Sequence, residues 1–253
     1  MPCKKEMTDI IPAVVSAEEM RSIDDLMEFE FGIELSQMME MAGRNLADLA
    51  LKIIGSGKKL DSLKIVVAAG KGHNGGGGLT AARYLSNRGV NVSVILAGGE
   101  SEKLKPAVLK RLYTLKKLPV QLINSKGGIP PAIFKEADLI IDALVGYGLK
   151  GNMRGESARI IKEINKSGNS RILALDVPSG LNSTDGSVGK LCIKARTTLT
   201  LALPKTGLII SPGREKAGQL YLADIGVPPE LYKKIGLQPQ DLFKEESIIL
   251  LNN

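Results

Sequence analysis

The sequence predicts an α/β fold: one three-layer domain with a mostly parallel, doubly wound central sheet and a helix pair at its N-terminal side. Three observations predict it. From Lys64 onward, short continuous apolar runs recur, each of strand length, and such runs mark strands buried on both faces. Helix-period segments separate several of these runs, as crossover helices packed on a parallel sheet require. A glycine-rich segment follows the first run, where the chain must turn from strand to helix at the carboxyl edge.

The helix pair comes first. Ser16 and Glu19 have capping-box spacing, and Met20, Ile23, Met27 and Phe31 form an apolar stripe that stops at Gly32. A second helix is expected from about Ser36 to Ile54, with Met38, Met39, Ala42, Leu46, Leu49 and Ile53 inward and Gly55 as its stop. The first strand is KIVVAAG at 64–70, followed by glycines and then a helix through LTAARYLSNRG. Residues 90–99 read as the second strand. The basic stretch from Lys103 to Lys117 carries Leu104, Val108, Leu112 and Leu115 at helical spacing, and QLI near 122 is a weaker strand. Runs at 138–146, 171–180, 197–204 and 219–226 complete the series, with the helix ESARIIKEINKSG between the first two. There is no internal repeat or low-complexity linker, so residues 1–253 are expected to form a single domain.

Composition narrows the chemistry. Only 4% of residues are aromatic and none is Trp, so the core must be aliphatic and Met-rich. Two cysteines, Cys3 and Cys192, and a single histidine, His73, exclude a disulfide scaffold and a multi-imidazole zinc site. No stretch reaches the roughly 18 apolar residues of a membrane helix, and no apolar leader precedes a cleavage site. A cytoplasmic protein without membrane contact is expected. The net charge of +7 is scattered and lacks interleaved aromatics, so nucleic-acid binding is not expected.

Ligands of such sheets bind outside the carboxyl ends of the strands, and three segments lie there. Gly70 to Gly78 contains G-x-G-x-x-G between strand and helix, a pattern that lets backbone N–H groups approach an anion at a helix N-terminus. Taken alone the pattern is weak and a tight strand-to-helix turn is the alternative, but six glycines in nine residues exceed what a turn needs. No Gly-Lys-Ser/Thr closes the segment, which excludes a Walker-type phosphate loop. Asp142 ends the 138–146 run ahead of Gly146, Gly148 and Gly151, and suits either a polar group facing the crevice or a turn. Asp176-Val177-Pro178-Ser179-Gly180 brings an acid and a hydroxyl to a third strand end, again as a site or as a rigid turn. His73 alone is more often an incidental loop residue than a catalyst, and Lys71 can meet either phosphate or solvent. The three segments meet at one edge, and that convergence favours a site.

These segments also resemble a known family. GKGHNGGGGLTAARYL is similar to its G-x-G-N-N-G-G-D-G-L-x-A-A-R-x-L, IIDALVGYGL to D-A-L-F-G-T-G-L, and LALDVPSGLNSTDG to L-A-x-D-I-P-S-G-L-x-x-x-x-G. SAEEMRSID and MMEMAGRNLA resemble its leading helix pair. The family is the YjeF N-terminal family of NAD(P)H-hydrate epimerases, and the resemblance covers about residues 15–230. It implies a Rossmann-like fold and an isomerase of nicotinamide nucleotide repair, interconverting the R and S forms of hydrated NADH and NADPH (NADHX and NADPHX) at C6 of the nicotinamide ring. It places the substrate over His73, Asn74, Gly75, Gly76 and Gly77, against the loop Gly146, Tyr147, Gly148, Leu149, Lys150, Gly151 and Asn152, with Asp176 as catalytic acid beside the ring. It implies a potassium ion near Asn74, Asp142 and Ser179, oxygen-bearing side chains of the kind hard cations prefer. A homodimer is implied, and at 253 residues any NAD(P)H-hydrate dehydratase is expected to be a separate protein.

Three positions depart from the family pattern: its acid in the glycine segment is Gly77, its first Asn there is His73, and the Asn of L-M-E-N-A-G is Met41. Two other readings therefore stay open. One is a non-catalytic nucleotide-binding or scaffold member of the same fold. The other is an NAD-dependent dehydrogenase with Glu100 as a ribose ligand, although the Asp-Pro-Ser-Gly element then has no role.

Overall fold

The computed structural model describes residues 13–98, 104–237 and 242–251. Cys3 and Glu100 lie outside the described residues. The leading helices are α1 (Ala17–Phe29) and α2 (Leu35–Ile54). Ser16 Oγ accepts from the Glu19 N–H while the Glu19 carboxylate accepts from the Ser16 N–H, closing the expected capping box. Phe31 is not on the α1 stripe. The N–H groups of Glu30 and Phe31 both donate to Leu26 O, and Gly32 at φ 65° turns the chain away, so Phe31 packs from the turn.

One eight-stranded sheet follows. Its strands are β1 (Lys64–Ala69), β2 (Asn91–Leu96), β3 (Gln121–Asn124), β4 (Leu139–Ala143), β5 (Ile172–Leu175), β6 (Thr197–Leu201), β7 (Gln219–Ala223) and β8 (Ile248–Leu250), in the order β3-β2-β1-β4-β5-β6-β7-β8. Every pairing is parallel except β7 with β8. The helices between and after the strands are α3 (His73–Asn87), α4 (Pro106–Leu115), α5 (Gly155–Lys166), α6 (Thr206–Ile209), α7 (Arg214–Ala217) and α8 (Pro229–Lys234). The chain winds outward from β1 to β3, then returns to place β4 on the other side of β1. Strand order thus reverses between β1 and β4, which opens a crevice beyond their carboxyl ends. Alternate β1 residues feed opposite layers: Ile65 and Val67 pack with Leu46, Leu79 and Leu112, whereas Val66 and Ala68 pack with Phe134, Ile160 and Ile164.

The glycine segment differs from its expected loop. Helix α3 begins at His73, with Gly72 as its N-cap, so Gly75 to Gly78 are helical. Glycine costs a helix about 1 kcal/mol relative to alanine, and close packing explains its use. A Cβ on Gly75 would lie 1.9 Å from Gly70 O, one on Gly76 2.6 Å from Met39 Sδ, and one on Gly78 2.5 Å from Ala143 Cβ. From the facing helix, a Cβ on Gly43 would meet Thr80 Cβ at 2.4 Å. The glycines let α3 settle against β4 and α2, with its N-terminus at the crevice.

Candidate active site

A cavity of about 680 Å³ opens at the crevice. Its walls are α1, α2, Lys71, Gly72 and the start of α3, the Leu144–Gly148 loop, and the ends of β5 and β6. Of the sequence-predicted residues, His73, Asn74, Gly77, Gly146, Tyr147, Gly148 and Asp176 line it. Gly75 and Gly76 instead make the close approaches of α3. Leu149 packs in the layer beside α5, Asn152 Oδ1 accepts from the Lys190 N–H at 3.2 Å, and Lys150 and Gly151 are exposed away from the cavity.

Asp176 sits at the cavity floor in an unusual backbone turn. Its φ is 66°, and the Val177 N–H donates back to Leu175 O at 2.9 Å, a three-residue γ-turn of the rarer, strained hand. The Asp176 N–H still donates to Leu199 O on β6. This turn swings a nearly buried carboxylate inward. Asp176 Oδ2 accepts from the Tyr147 N–H at 2.8 Å, and Oδ1 lies 2.6 Å from Lys205 Nζ. Gly146 must be a glycine for this: its Cβ would stand 2.6 Å from Asp176 Oδ2 and 3.1 Å from Asn74 Oδ1.

Lys205 is fully buried. A buried ammonium needs compensation for its lost hydration, and its surroundings supply Asp176, Leu201 O at 2.7 Å and Thr200 Oγ1 at 3.4 Å. The segment is held from outside by Val15, which pairs with Lys205 through Val15 N–H to Pro204 O and Thr206 N–H to Val15 O. Tyr147 crosses the cavity wall in the other direction, its hydroxyl donating to Asp24 Oδ2 on α1 at 2.5 Å. Burial pushes the Asp24 carboxyl above the usual carboxylate range, against the opposing pull of the Tyr147 hydrogen bond and Lys205. Burial, and then the facing Asp24, likewise push the Tyr147 phenol up.

Beneath the floor, Asp142 and Ser179 are fully buried and joined. Ser179 Oγ–H donates to Asp142 Oδ1 at 2.7 Å, and the Ser179 N–H donates to Oδ2 at 2.8 Å. Burial pushes Asp142 up to about 6 despite these bonds and one from the Leu144 N–H. The amide nitrogen of Asn74 is buried without a partner. At the opposite end, His73 Nε2 is 2.9 Å from Lys105 Nζ, and burial, then Lys105, hold the imidazole below its usual range.

Lys205 and Asp24 are the site residues that sequence reasoning missed. Lys205 stands one residue beyond the 197–204 run, and nothing in its own segment marks it as buried beside Asp176. Asp24 lies in the segment SAEEMRSID but off the apolar stripe, so it reads as solvated. The departures at Gly77 and Met41 also have structural partners. A Cβ on Gly77 would meet Leu175 Cδ2 at 2.8 Å, and Met41 packs its sulfur near Gly226.

Residues 35–207 match the family described as YjeF-related protein N-terminus. The chain belongs to the YjeF N-terminal family. It is 40% identical over 227 residues to an NAD(P)H-hydrate epimerase of Dehalogenimonas lykanthroporepellens, covering 88% of this chain and 86% of that one. It is 35% identical to a bifunctional NAD(P)H-hydrate repair enzyme of Moorella thermoacetica, covering 86% of this chain but 41% of that longer protein. Among solved structures, yeast ynu0 superposes with a TM-score of 0.83 at 27% identity, covering 94% of this chain and all of that one. That likeness agrees with the Rossmann-like three-layer architecture. Among the described residues, no helix is long and apolar enough to cross a membrane.

Proposed function

We propose that this chain is an NAD(P)H-hydrate epimerase, an isomerase that interconverts the R and S forms of NADHX and NADPHX. The observation that carries the reading is the crevice cavity with Asp176 fixed at its floor, in a chain 40% identical to a protein named for that activity. Epimerisation must break and remake the C6–O bond, and departure of the hydroxyl leaves a cationic ring. A carboxylate held in a water-poor pocket stabilises such a cation without reorganising. Asp176 meets that need: Tyr147 N–H and Lys205 fix both oxygens, and the γ-turn sets its direction. The start of α3 and Lys105 suit the phosphates of the substrate, with His73, Asn74, Gly77 and the 146–148 turn along its length.

We propose that a potassium ion would be held by the side-chain oxygens of Asn74, Asp142 and Ser179. The Asp142 carboxylate is fully buried and its hydrogen-bond partners are all dipoles, so a cation beside it would supply the missing countercharge. Bound there, the ion would neutralise Asp142 and tie the start of α3 to the ends of β4 and β5. We further propose a homodimer, with an NAD(P)H-hydrate dehydratase as its pathway partner.

The test is chromatographic conversion of purified R-NADHX to the S form. The chain should accelerate it, and Asp176→Asn should slow it by about 10²-fold or more, the scale of a positioned acid–base or charge-stabilising group. Binding without acceleration would move the protein to the non-catalytic reading.

A further inference from the structure

Two carboxylates reach the cavity from unrelated elements, Asp176 from the end of β5 and Asp24 from α1, and their surroundings differ. Asp176 Oδ2 accepts from the Tyr147 N–H, while Oδ1, buried and without a hydrogen bond, stands in an ion pair 2.6 Å from the Lys205 ammonium. Asp24 has one hydrogen bond, from the Tyr147 hydroxyl to Oδ2. Its Oδ1 has no hydrogen-bond partner among the described residues, on a side chain that lines the cavity. A proton therefore has a place on the cavity-facing, half-buried Asp24, whereas Asp176 Oδ1 is buried against an ammonium.

We propose that Asp24, oriented by Tyr147, gives and takes the proton at the C6 oxygen, while Asp176 acts as the fixed carboxylate that steadies the ring cation. This rests on the epimerase reading and divides its labour between two residues. The charged groups facing Asp24 are Lys205 beyond β6, Asp176 at the end of β5 and Asp25 on its own helix, with Arg21 acting on Tyr147. Burial outweighs the attraction of Lys205 and raises the Asp24 carboxyl, the direction an acid needs near neutral pH.

The step balances without any added oxidant or reductant. Protonated Asp24 donates to the C6 hydroxyl, and the C6–O bond breaks with its pair kept by the oxygen, which leaves as water. The N1 lone pair forms the N1–C6 double bond of the ring cation. Water then adds to the other face of C6, the N1–C6 pair returns to nitrogen, and the released proton goes back to the Asp24 carboxylate. The enzyme ends in the protonation state in which it began.

The test is the epimerisation rate against pH, corrected for the uncatalysed reaction, with thermal melting to confirm folding. The wild-type rate should fall with a one-proton dependence as pH rises through the Asp24 titration. Asp24→Asn should lose about 10²-fold and show no such limb, while Asp24→Glu should retain the limb with a smaller loss. Tyr147→Phe keeps the N–H to Asp176 but removes the hydroxyl that favours the Asp24 carboxylate, so its limb should move to higher pH. An Asp24→Asn protein that keeps both the limb and a rate within a few-fold of wild type would overturn the inference, as would a folded Asp24→Glu protein lacking the limb. An inactive wild type would instead overturn the epimerase reading itself.

Discussion

Replacing Lys205 by methionine is the sharpest test of how the site is held together. Methionine has nearly the same length and fills the same buried space, so the change removes the charge and the donors with little loss of packing. It leaves Asp176, whose side chain is 5% exposed, without its ammonium partner at 2.6 Å. Removing one member of a buried ion pair costs about 3–5 kcal/mol, because the other charge stays buried and unpaired. Leu201 O also loses a 2.7 Å hydrogen bond, adding about 1 kcal/mol. For a chain of this size each kcal/mol moves the melting midpoint by roughly 2–4 °C, so a drop of about 10 °C or more is expected. The second variant, Lys205→Met with Asp176→Asn, removes both charges and should recover most of that loss, while epimerisation stays about 10²-fold down. Urea unfolding of the two variants and the wild type gives the comparison. If the single variant loses less than about 1 kcal/mol, or the double is no more stable than the single, then the pair does not hold the floor of the cavity.

Two further outcomes are expected. Gly75→Ala places a methyl 1.9 Å from Gly70 O, a backbone atom that cannot swing aside; it should destabilise by about 2–3 kcal/mol in urea unfolding and weaken ligand binding together, since α3 must back away from the crevice. Potassium chloride should raise the melting temperature above that in an equal concentration of a bulky organic cation chloride, and Ser179→Ala should abolish the difference; an unchanged potassium effect would remove Ser179 from the proposed cation site.

Much of the sheet was legible because buried parallel strands are continuous apolar runs, and those from β1 to β7 announce themselves in that way. The weakest of these, β3, is only half-buried at the sheet's outer edge. Strand β8 was not legible: three residues pairing antiparallel with β7 leave too short a pattern to count. The start of α3 was misread for a different reason. Four successive glycines oppose a helix by propensity, and only the nearness of Gly70 O, Met39 and Ala143 explains why a helix there has no side chains. Tertiary closeness of that kind has no local signature.

The same limit governs the cavity floor, and the backbone shows how it arises. The Leu203 N–H donates to Leu201 O at 2.7 Å around Ala202, whose φ is 61°, just as the Val177 N–H donates to Leu175 O around Asp176 at φ 66°. Each of the neighbouring strands β5 and β6 thus ends in a γ-turn of the same unfavourable hand. Non-glycine residues held at such φ values cost of order 1–3 kcal/mol each and persist only where their surroundings determine them. The first turn aims the Asp176 carboxylate into the crevice, and the second redirects the chain so that Lys205, three residues on, runs back beneath it. Together the two turns bring the carboxylate and the ammonium to 2.6 Å. Asp176 was legible as a candidate because Asp-Val-Pro-Ser-Gly marks a strand end. Lys205 was not, because its burial is a product of two bends in adjacent strands rather than of any pattern in its own segment.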